Sequence, residues 1–456
     1  MNARSRQRGS PVRHLWMLAL LVVIPGCARR SPAPPTIPGD PAGIAQDMAA
    51  VLDAELGRWY PLCIDSVSGG FFSDVNFRWE LEGPQEKKIV TQARHVWTCS
   101  RAASFDPKYR PLLAAAAHGV RYLGGSMWDA AYGGFFELVT RDGEVIPDGG
   151  KVIKTAYGNA FAIYGLAAFY GASGDTAALH LAQACFRWLD VHSRDPVYGG
   201  YFQFLSRTGE PYAEGWQGTP PKDQNSSIHL LESFTELYRV WPDSLVRERI
   251  ASLLALVRDR ITSEDGYMNL FFRRDWTPVV YRAAPPGVRQ EHYEMDHVSF
   301  GHDIETAYLM LEAAAAIGAQ RDSATEAVAK RKVDVALRYG WDAGRGGLFD
   351  GGFAEADGRV RVVRTTKEWW AQAEALNTLL LMSRMYPADT ADYRGLFCAQ
   401  WAFCVRYAID RERGGWYWDA LDTSPSSRRS PKGSIWKADY HTGRSLMNCI
   451  ARIRSG

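Results

Sequence analysis

His302 and Glu305 stand three residues apart in "FGHDIETAYLM", Phe300 to Met310, at the head of an apolar run with helical spacing. Residues i and i+3 share a helix face, so an imidazole and a carboxylate are presented together where a buried core would want neither. Asn225 and His229 in "NSSIHLLESF" repeat the theme at i, i+4. Comparable groups are Arg94 and Trp97 in "QARHVWTCSRAA", Tyr157 and Asn159 in "AYGNAFAIYGL", Trp369, Trp370 and Glu374 in "EWWAQAEAL", and Trp436 and His441 in "IWKADYHTGRSL".

An imidazole near its ordinary pKa of about 6.5 takes or gives a proton at neutral pH. Two of them on opposite sides of a carbon can remove a proton from one face and return one to the other. Glu305, beside His302, is expected to fix that imidazole's tautomer and raise its basicity. Indoles at Trp369, Trp370 and Trp436 offer flat apolar faces to sugar C–H groups, and Arg94, Asn225 and Glu305 offer directional hydrogen bonds to hydroxyls. Phosphate loops of Walker type, a GxSxG elbow and HExxH are absent. The residues therefore point to proton transfer next to a sugar carbonyl, either epimerisation or isomerisation.

Convergence needs a scaffold, and the chain supplies a repeat. Gly69-Gly70-Phe71-Phe72, Gly133-Gly134-Phe135-Phe136, Gly199-Gly200-Tyr201-Phe202, Gly346-Gly347-Leu348-Phe349 and Gly414-Gly415-Trp416-Tyr417 are one phrase, with a degenerate copy at Asp265-Gly266-Tyr267. Asp129, Asp195, Asp342 and Asp410 stand just before it. Between copies the period is helical over Ala93–Phe105, Ala156–Tyr170, Thr176–His192, Ile228–Trp241, Val246–Ile261, Ile304–Ile317, Ala324–Arg338, Trp369–Met385 and Tyr393–Ile409. Two helices per unit give six helical hairpins, each with a face it cannot bury alone. The expected fold is all-α, an (α/α)6 barrel closed in preference to an open solenoid. The Gly-Gly-aromatic turns, with short β-turn or hairpin elements, are placed at one end and longer loops such as Phe272 to Ser299 at the other.

With 456 residues, 46% of them hydrophobic, the chain can bury a large core. Residues 1–26 carry Arg4, Arg6, Arg8 and Arg13 before the apolar run Leu15 to Ile24, too short for a final membrane span, and read as an export signal. Ile24-Pro25-Gly26-Cys27 resembles a bacterial lipobox, which makes Cys27 the lipidation candidate; a plain secretory signal with a chance cysteine is the alternative. Residues 27–43 are proline-rich and read as a tether, with the folded domain at 44–456. The expected location is periplasmic or cell-surface. Without residues 1–26, 49 Lys and Arg face 51 acids, which gives nucleic acid no basic surface. Cys63, Cys99, Cys185, Cys398, Cys404 and Cys449 show no CxxC spacing and are expected to pack as small hydrophobes.

The runs "GHDIE", "NSSIHLLE", "EWWAQAEA", "YGNAFAIY" and "WKADYHTGR" resemble the motifs of the N-acylglucosamine 2-epimerase superfamily, most closely its cellobiose/mannobiose 2-epimerase branch, over about Ile44 to Ile453. The resemblance implies an (α/α)6 barrel working without metal or cofactor, as a monomer or weak dimer, with a small carbohydrate as its partner. It implies His302 and His441 as the acid/base pair, His441 also opening the sugar ring. His229 would bond near the C1 and C2 oxygens, Arg94 would stabilise the enediolate oxygen and Glu305 would orient His302. Tyr157, Asn225, Trp370 and Trp436 would contact substrate, as the Trp369 indole is expected to from its residue type, with Trp436 stacking on the second sugar.

One position departs from the branch: many cellobiose epimerases carry an "NTHLH"-like run, and here Ser227 replaces the first histidine. A smaller neutral side chain near the mouth would alter the fit of the non-reducing sugar or favour a monosaccharide. An N-acylglucosamine epimerase or an aldose-ketose isomerase uses the same enediol and stays open. So do a glycoside hydrolase, which ordinarily needs two facing carboxylates, and a glycan-binding lipoprotein.

Overall fold

A computed structural model of the chain describes residues 40–319 and 322–455. The segment read as an export signal, Cys27 and most of the expected tether lie outside the described residues. The chain opens with α1 (Pro41–Trp59), β1 (Lys87–Lys88), α2 (Ile89–Phe105), α3 (Leu112–Tyr122), β2 (Leu138–Val139), β3 (Ile153–Thr155), α4 (Ala156–Ser173) and α5 (Thr176–His192). It continues through β4 (Phe204–Ser206), β5 (Lys222–Asp223), α6 (Gln224–Val240), α7 (Ser244–Leu256), β6 (Phe271–Phe272), α8 (Pro286–Glu291), α9 (Tyr293–Asp296) and β7 (Val298–Ser299). The rest is α10 (Phe300–Ala316), α11 (Ser323–Gly340), β8 (Gly351–Ala354), β9 (Val360–Arg364), α12 (Trp369–Met385), α13 (Tyr393–Phe403) and α14 (Tyr440–Arg454).

The protein is mostly helical. Helix α2 packs on α4, α4 on α6, α6 on α10, α10 on α12, α12 on α14, and α14 returns to α2. Each of these inner helices has an outer companion: α3, α5, α7, α11 and α13 follow α2, α4, α6, α10 and α12, and α1 packs on α14. Close approach of α2 and α4 needs Gly165, where a Cβ would sit 2.7 Å from the Ala93 carbonyl oxygen. Strands are short antiparallel pairs, β1 with β2, β3 with β4 and β5 with β6, plus the three-stranded β7-β8-β9.

Three expectations need correction. Helix α1 begins at Pro41, three residues before the expected domain start, because Asp40 accepts from Gly43 N and proline is preorganised for a first turn. Helices α2, α6 and α10 begin four residues earlier than the apolar period shows, because their first turns hold polar groups (Gln92; Gln224 and Asn225; His302 and Asp303) that break it. The Gly-Gly turns and the Phe272–Ser299 segment share one end instead of occupying opposite ends: both connect the end of an outer helix to the start of an inner one. The opposite end holds the shorter inner-to-outer connections, such as Gly174–Asp175 between α4 and α5.

The repeated turn is held by a buried ion pair. Lys87, Lys154, Lys222, Lys367 and Lys432 bind Asp65, Asp129, Asp195, Asp342 and Asp410, the aspartates that precede the glycines. Gly70 has φ +65 and a Cβ there would meet Gln92 Oε1 at 2.6 Å, so the turn needs glycine on both counts. The fourth residue of four inner helices docks the turn: Gln92, Asn159, Asp303 and Gln372 accept from the amides of Phe71, Phe135, Met268 and Leu348. At about 100° per residue, the sixth position lies nearly opposite the fourth. Fixing the fourth position outward therefore turns the sixth, and the second, toward the interior of the ring.

Candidate active site

The sixth positions of α2, α6, α10 and α12 are Arg94, His229, Glu305 and Glu374; the second positions of α4, α6, α12 and α14 are Tyr157, Asn225, Trp370 and His441. His302 is third in α10, one turn before Glu305. All ten residues expected at the site line one cavity of about 580 Å³: Arg94, Tyr157, Asn225, His229, His302, Glu305, Trp369, Trp370, Trp436 and His441. Asn159 does not belong there, since its amide is spent on the Phe135 turn.

His302 and His441 share Trp370 as a neighbour, with ring centroids 4.6 and 5.8 Å from the indole. His441 Nδ1 lies 2.8 Å from Glu374 Oε1. That oxygen also accepts from Arg444 at 2.6 Å, so the imidazole donates and its Nε2 keeps a lone pair. His302 Nδ1 is hydrogen-bonded with Ser299 Oγ at 2.8 Å, which leaves Nε2 for chemistry.

Glu305 is therefore not the group that orients His302. Its Oε1 accepts from Arg444 at 2.5 Å and stands 3.8 Å from His441 Nδ1. Sharing a helix face with His302 gave proximity, but the stronger pull of a buried guanidinium on α14 decided where the carboxylate points.

His229 Nδ1 stands 2.7 Å from Glu232 Oε2. Burial would raise the Glu232 pKa, but Arg444 and the bond from His229 outweigh it and hold the carboxyl down to about 2. Arg444, itself buried, thus joins Glu232, Glu305 and Glu374 in one network with the Tyr440 hydroxyl. Arg94 sits over the Phe161 ring at 4.4 Å and donates to Tyr157 Oη and the Trp436 carbonyl, both at 3.2 Å. Its buried Nε has no partner, so the cation is fixed with donor capacity to spare. Trp436 is half exposed, with the Lys88 ammonium 4.2 Å over its ring.

His302 and His441 do not titrate near their ordinary value as expected. Burial, with the neighbouring His229, His297, His441 and Lys332, pushes His302 well below 6.5. Burial and the Arg94 cation do the same to His441, against the pull of Glu305. Both are neutral imidazoles at neutral pH, poised as bases.

Sequence reasoning gave no role to Ser299, Glu232, Glu368 or Arg444. Glu368 accepts from Trp370 Nε1 at 2.6 Å and is pushed up to about 7 by burial and by Asp350. Glu232 and Arg444 each stand three residues after a site histidine, the same spacing that drew attention to Glu305. Ser227 is buried and its hydroxyl donates to the Asp223 carbonyl at 2.8 Å, away from the cavity lining. The missing histidine therefore opens no space at the mouth.

The family model described as N-acylglucosamine 2-epimerase matches residues 70–444. A cellobiose 2-epimerase from Bacteroides fragilis is 28% identical over 402 residues, covering 87% of this chain and 95% of the relative. A D-mannose isomerase from Marinomonas mediterranea is 24% identical over 406 residues, covering 87% and 94%. The structure of cellobiose 2-epimerase from Spirochaeta thermophila superposes with a TM-score of 0.76 at 29% identity, covering 91% of this chain and 98% of the other.

Proposed function

Because the chain belongs to the N-acylglucosamine 2-epimerase family, we propose that it is a carbohydrate isomerase, a 2-epimerase acting on a free reducing end. It interconverts gluco and manno configuration at C2, in a β-1,4-linked disaccharide of the cellobiose or mannobiose type. One observation carries this reading: two neutral imidazoles, half-buried His302 and buried His441, share the Trp370 indole on a cavity that also holds the fixed Arg94 cation. The circuit of inner and outer helices supports an (α/α)6 barrel of six helical hairpins as the scaffold.

His441, its Nδ1–H held by Glu374, takes the proton of the C1 hydroxyl at Nε2 and returns one to the ring oxygen as the C1–ring oxygen bond breaks, which opens the sugar to its aldehyde. One imidazole then takes the C2 proton, and the cis-enediolate oxygen meets Arg94, whose charge needs no reorganisation in a site sheltered from water. His229, fixed by Glu232, bonds the C1 and C2 oxygens. Rotation about C2–C3 turns the other face of C2 toward the second imidazole, which delivers a solvent-derived proton. Trp370 and Trp436 offer apolar faces to the two sugar rings.

Incubation with cellobiose in heavy water, followed by NMR, tests this. Deuterium at C2 and a glucosyl-mannose product are expected; deuterium at C1 with a ketose product would establish the aldose-ketose isomerase instead. Export and anchoring through Cys27 are proposed on the sequence of the first 27 residues alone.

A further inference from the structure

Trp370 lies against both imidazoles, so the place of its indole limits where they can sit. Two contacts hold the ring, one at each edge. At the pyrrole edge, Nε1–H donates to Glu368 Oε2 at 2.6 Å. At the benzene edge the ring meets Gly301 of α10, where a Cβ would stand 2.7 Å from Trp370 Cη2 and 2.7 Å from Ala371 Cβ. Gly301 directly precedes His302. The glycine therefore lets the indole rest on the backbone that carries one imidazole, and Glu368 keeps it from sliding there.

Glu368 is itself fixed from two sides. Its N–H donates to Asp350 Oδ1 at 2.8 Å, and the residue bridges to Asp419 across an antiparallel pairing. Its carboxyl then stands with those of Asp350 and Asp419, one oxygen of each within 4.8 Å of the others. The neighbouring cations have other duties: Arg364 is taken by Glu294 at 2.6 Å, and Lys437 donates to the Trp416 carbonyl at 2.9 Å. Burial, and then repulsion among the crowded acids, raises Glu368 above the usual carboxylate range. A neutral acceptor would cost the fold less, so stability does not account for an acid at this position.

We infer that Glu368 is a positioning residue of the reaction: by accepting from Trp370 Nε1 it holds the indole against both His302 and His441. The accepting oxygen need not carry the proton, so the clamp holds with the carboxyl ionised or neutral. This rests on the 2-epimerase reading and adds to it the group that fixes the spacing of the two bases.

The test is a double-mutant cycle on the full chain with cellobiose, using Glu368→Leu, Glu368→Gln and Trp370→Phe. Glu368→Leu is expected to lower kcat about 10-fold with KM within about threefold, because a loosened indole misplaces the bases more than it removes a sugar contact. Glu368→Gln, whose amide oxygen still accepts, is expected to stay within about twofold of wild type. In the slower Trp370→Phe background, which lacks the indole N–H, Glu368→Leu is expected to cost nothing further. Near pH 8 the Glu368 carboxyl is ionised, and Glu368→Gln is expected to raise the melting temperature by relieving the acidic cluster of a charge.

A Glu368→Leu enzyme as fast as wild type, or a Gln variant as slow as Leu, would overturn the assignment. So would an added loss in the Phe background, since Glu368 would then act on the sugar directly. Lack of turnover by wild type would count against the 2-epimerase reading instead, and the clamp is then judged without chemistry. The Trp370 indole N–H resonance, assigned by its loss in Trp370→Phe, is expected to exchange slowly with solvent in wild type and Glu368→Gln and rapidly in Glu368→Leu. Rapid exchange in wild type would overturn the clamp whatever the substrate.

Discussion

Glu374 accepts a hydrogen bond from His441 Nδ1 at 2.8 Å while its Oε1 is held from the other side by Arg444. A carboxylate so fixed sets the imidazole's tautomer and direction, and the two residues come from helices α12 and α14, whose packing closes one part of the helix circuit.

Replacing Glu374 by Gln keeps the size and removes the charge. Turnover is expected to fall about 10- to 100-fold with little change in KM, because His441 loses its orientation more than the sugar loses a contact. Steady-state kinetics with circular dichroism measure this, and wild-type kcat in a folded variant would remove Glu374 from the mechanism.

His302→Ala and His441→Ala are each expected to lower turnover by at least about 100-fold, the usual general acid-base contribution. Both side chains face the cavity, so melting temperatures are expected to stay near wild type. Either variant with near-normal turnover loses the role assigned to it.

Arg444→Met removes the one cation that Glu232, Glu305 and Glu374 share. Stranding buried carboxylates costs about 3 to 5 kcal/mol, read as a lowered denaturant midpoint. A variant as stable as wild type would show that the network is dispensable for folding.

Activity is expected to persist into mild acid. The working form of His302 and His441 is neutral, and both are held well below 6.5, so protonation and loss of kcat/KM begin only below that value. An acid limb centred at 6.5 or above in the pH profile would contradict the downward shift of the pair.

Glu55 is buried under α14 and pushed up to about 8, chiefly by burial. Its folded state holds a proton that the unfolded chain releases near pH 4.5, so folding binds the extra proton between those values and stability falls as pH rises through the window. Glu55→Gln is expected to flatten the decline of melting temperature between pH 5 and about 8. An unchanged slope would mean that another group drives it.

The repeated glycine phrase and the 3.6-residue period made the helical hairpins readable, because both are local: a turn needing φ > 0 and a helix hiding one face write themselves into neighbouring residues. Trp369–Met385 has the same bounds in sequence and structure for that reason. The first turns of α2, α6 and α10 were lost because the groups that point into the cavity are polar, and polarity there reads as a loop.

The sequence by itself determined which side chains are available for chemistry: imidazoles, indoles, an arginine and carboxylates near helix starts. Only the tertiary structure decided who holds whom. Glu305 answers to Arg444 and not to His302, Ser299 takes the place Glu305 was expected to fill, and Glu374 governs His441. Those partnerships join residues as far as 139 positions apart in the chain. They are chosen by competition among buried charges for one guanidinium, a contest whose outcome depends on distances that no local spacing contains.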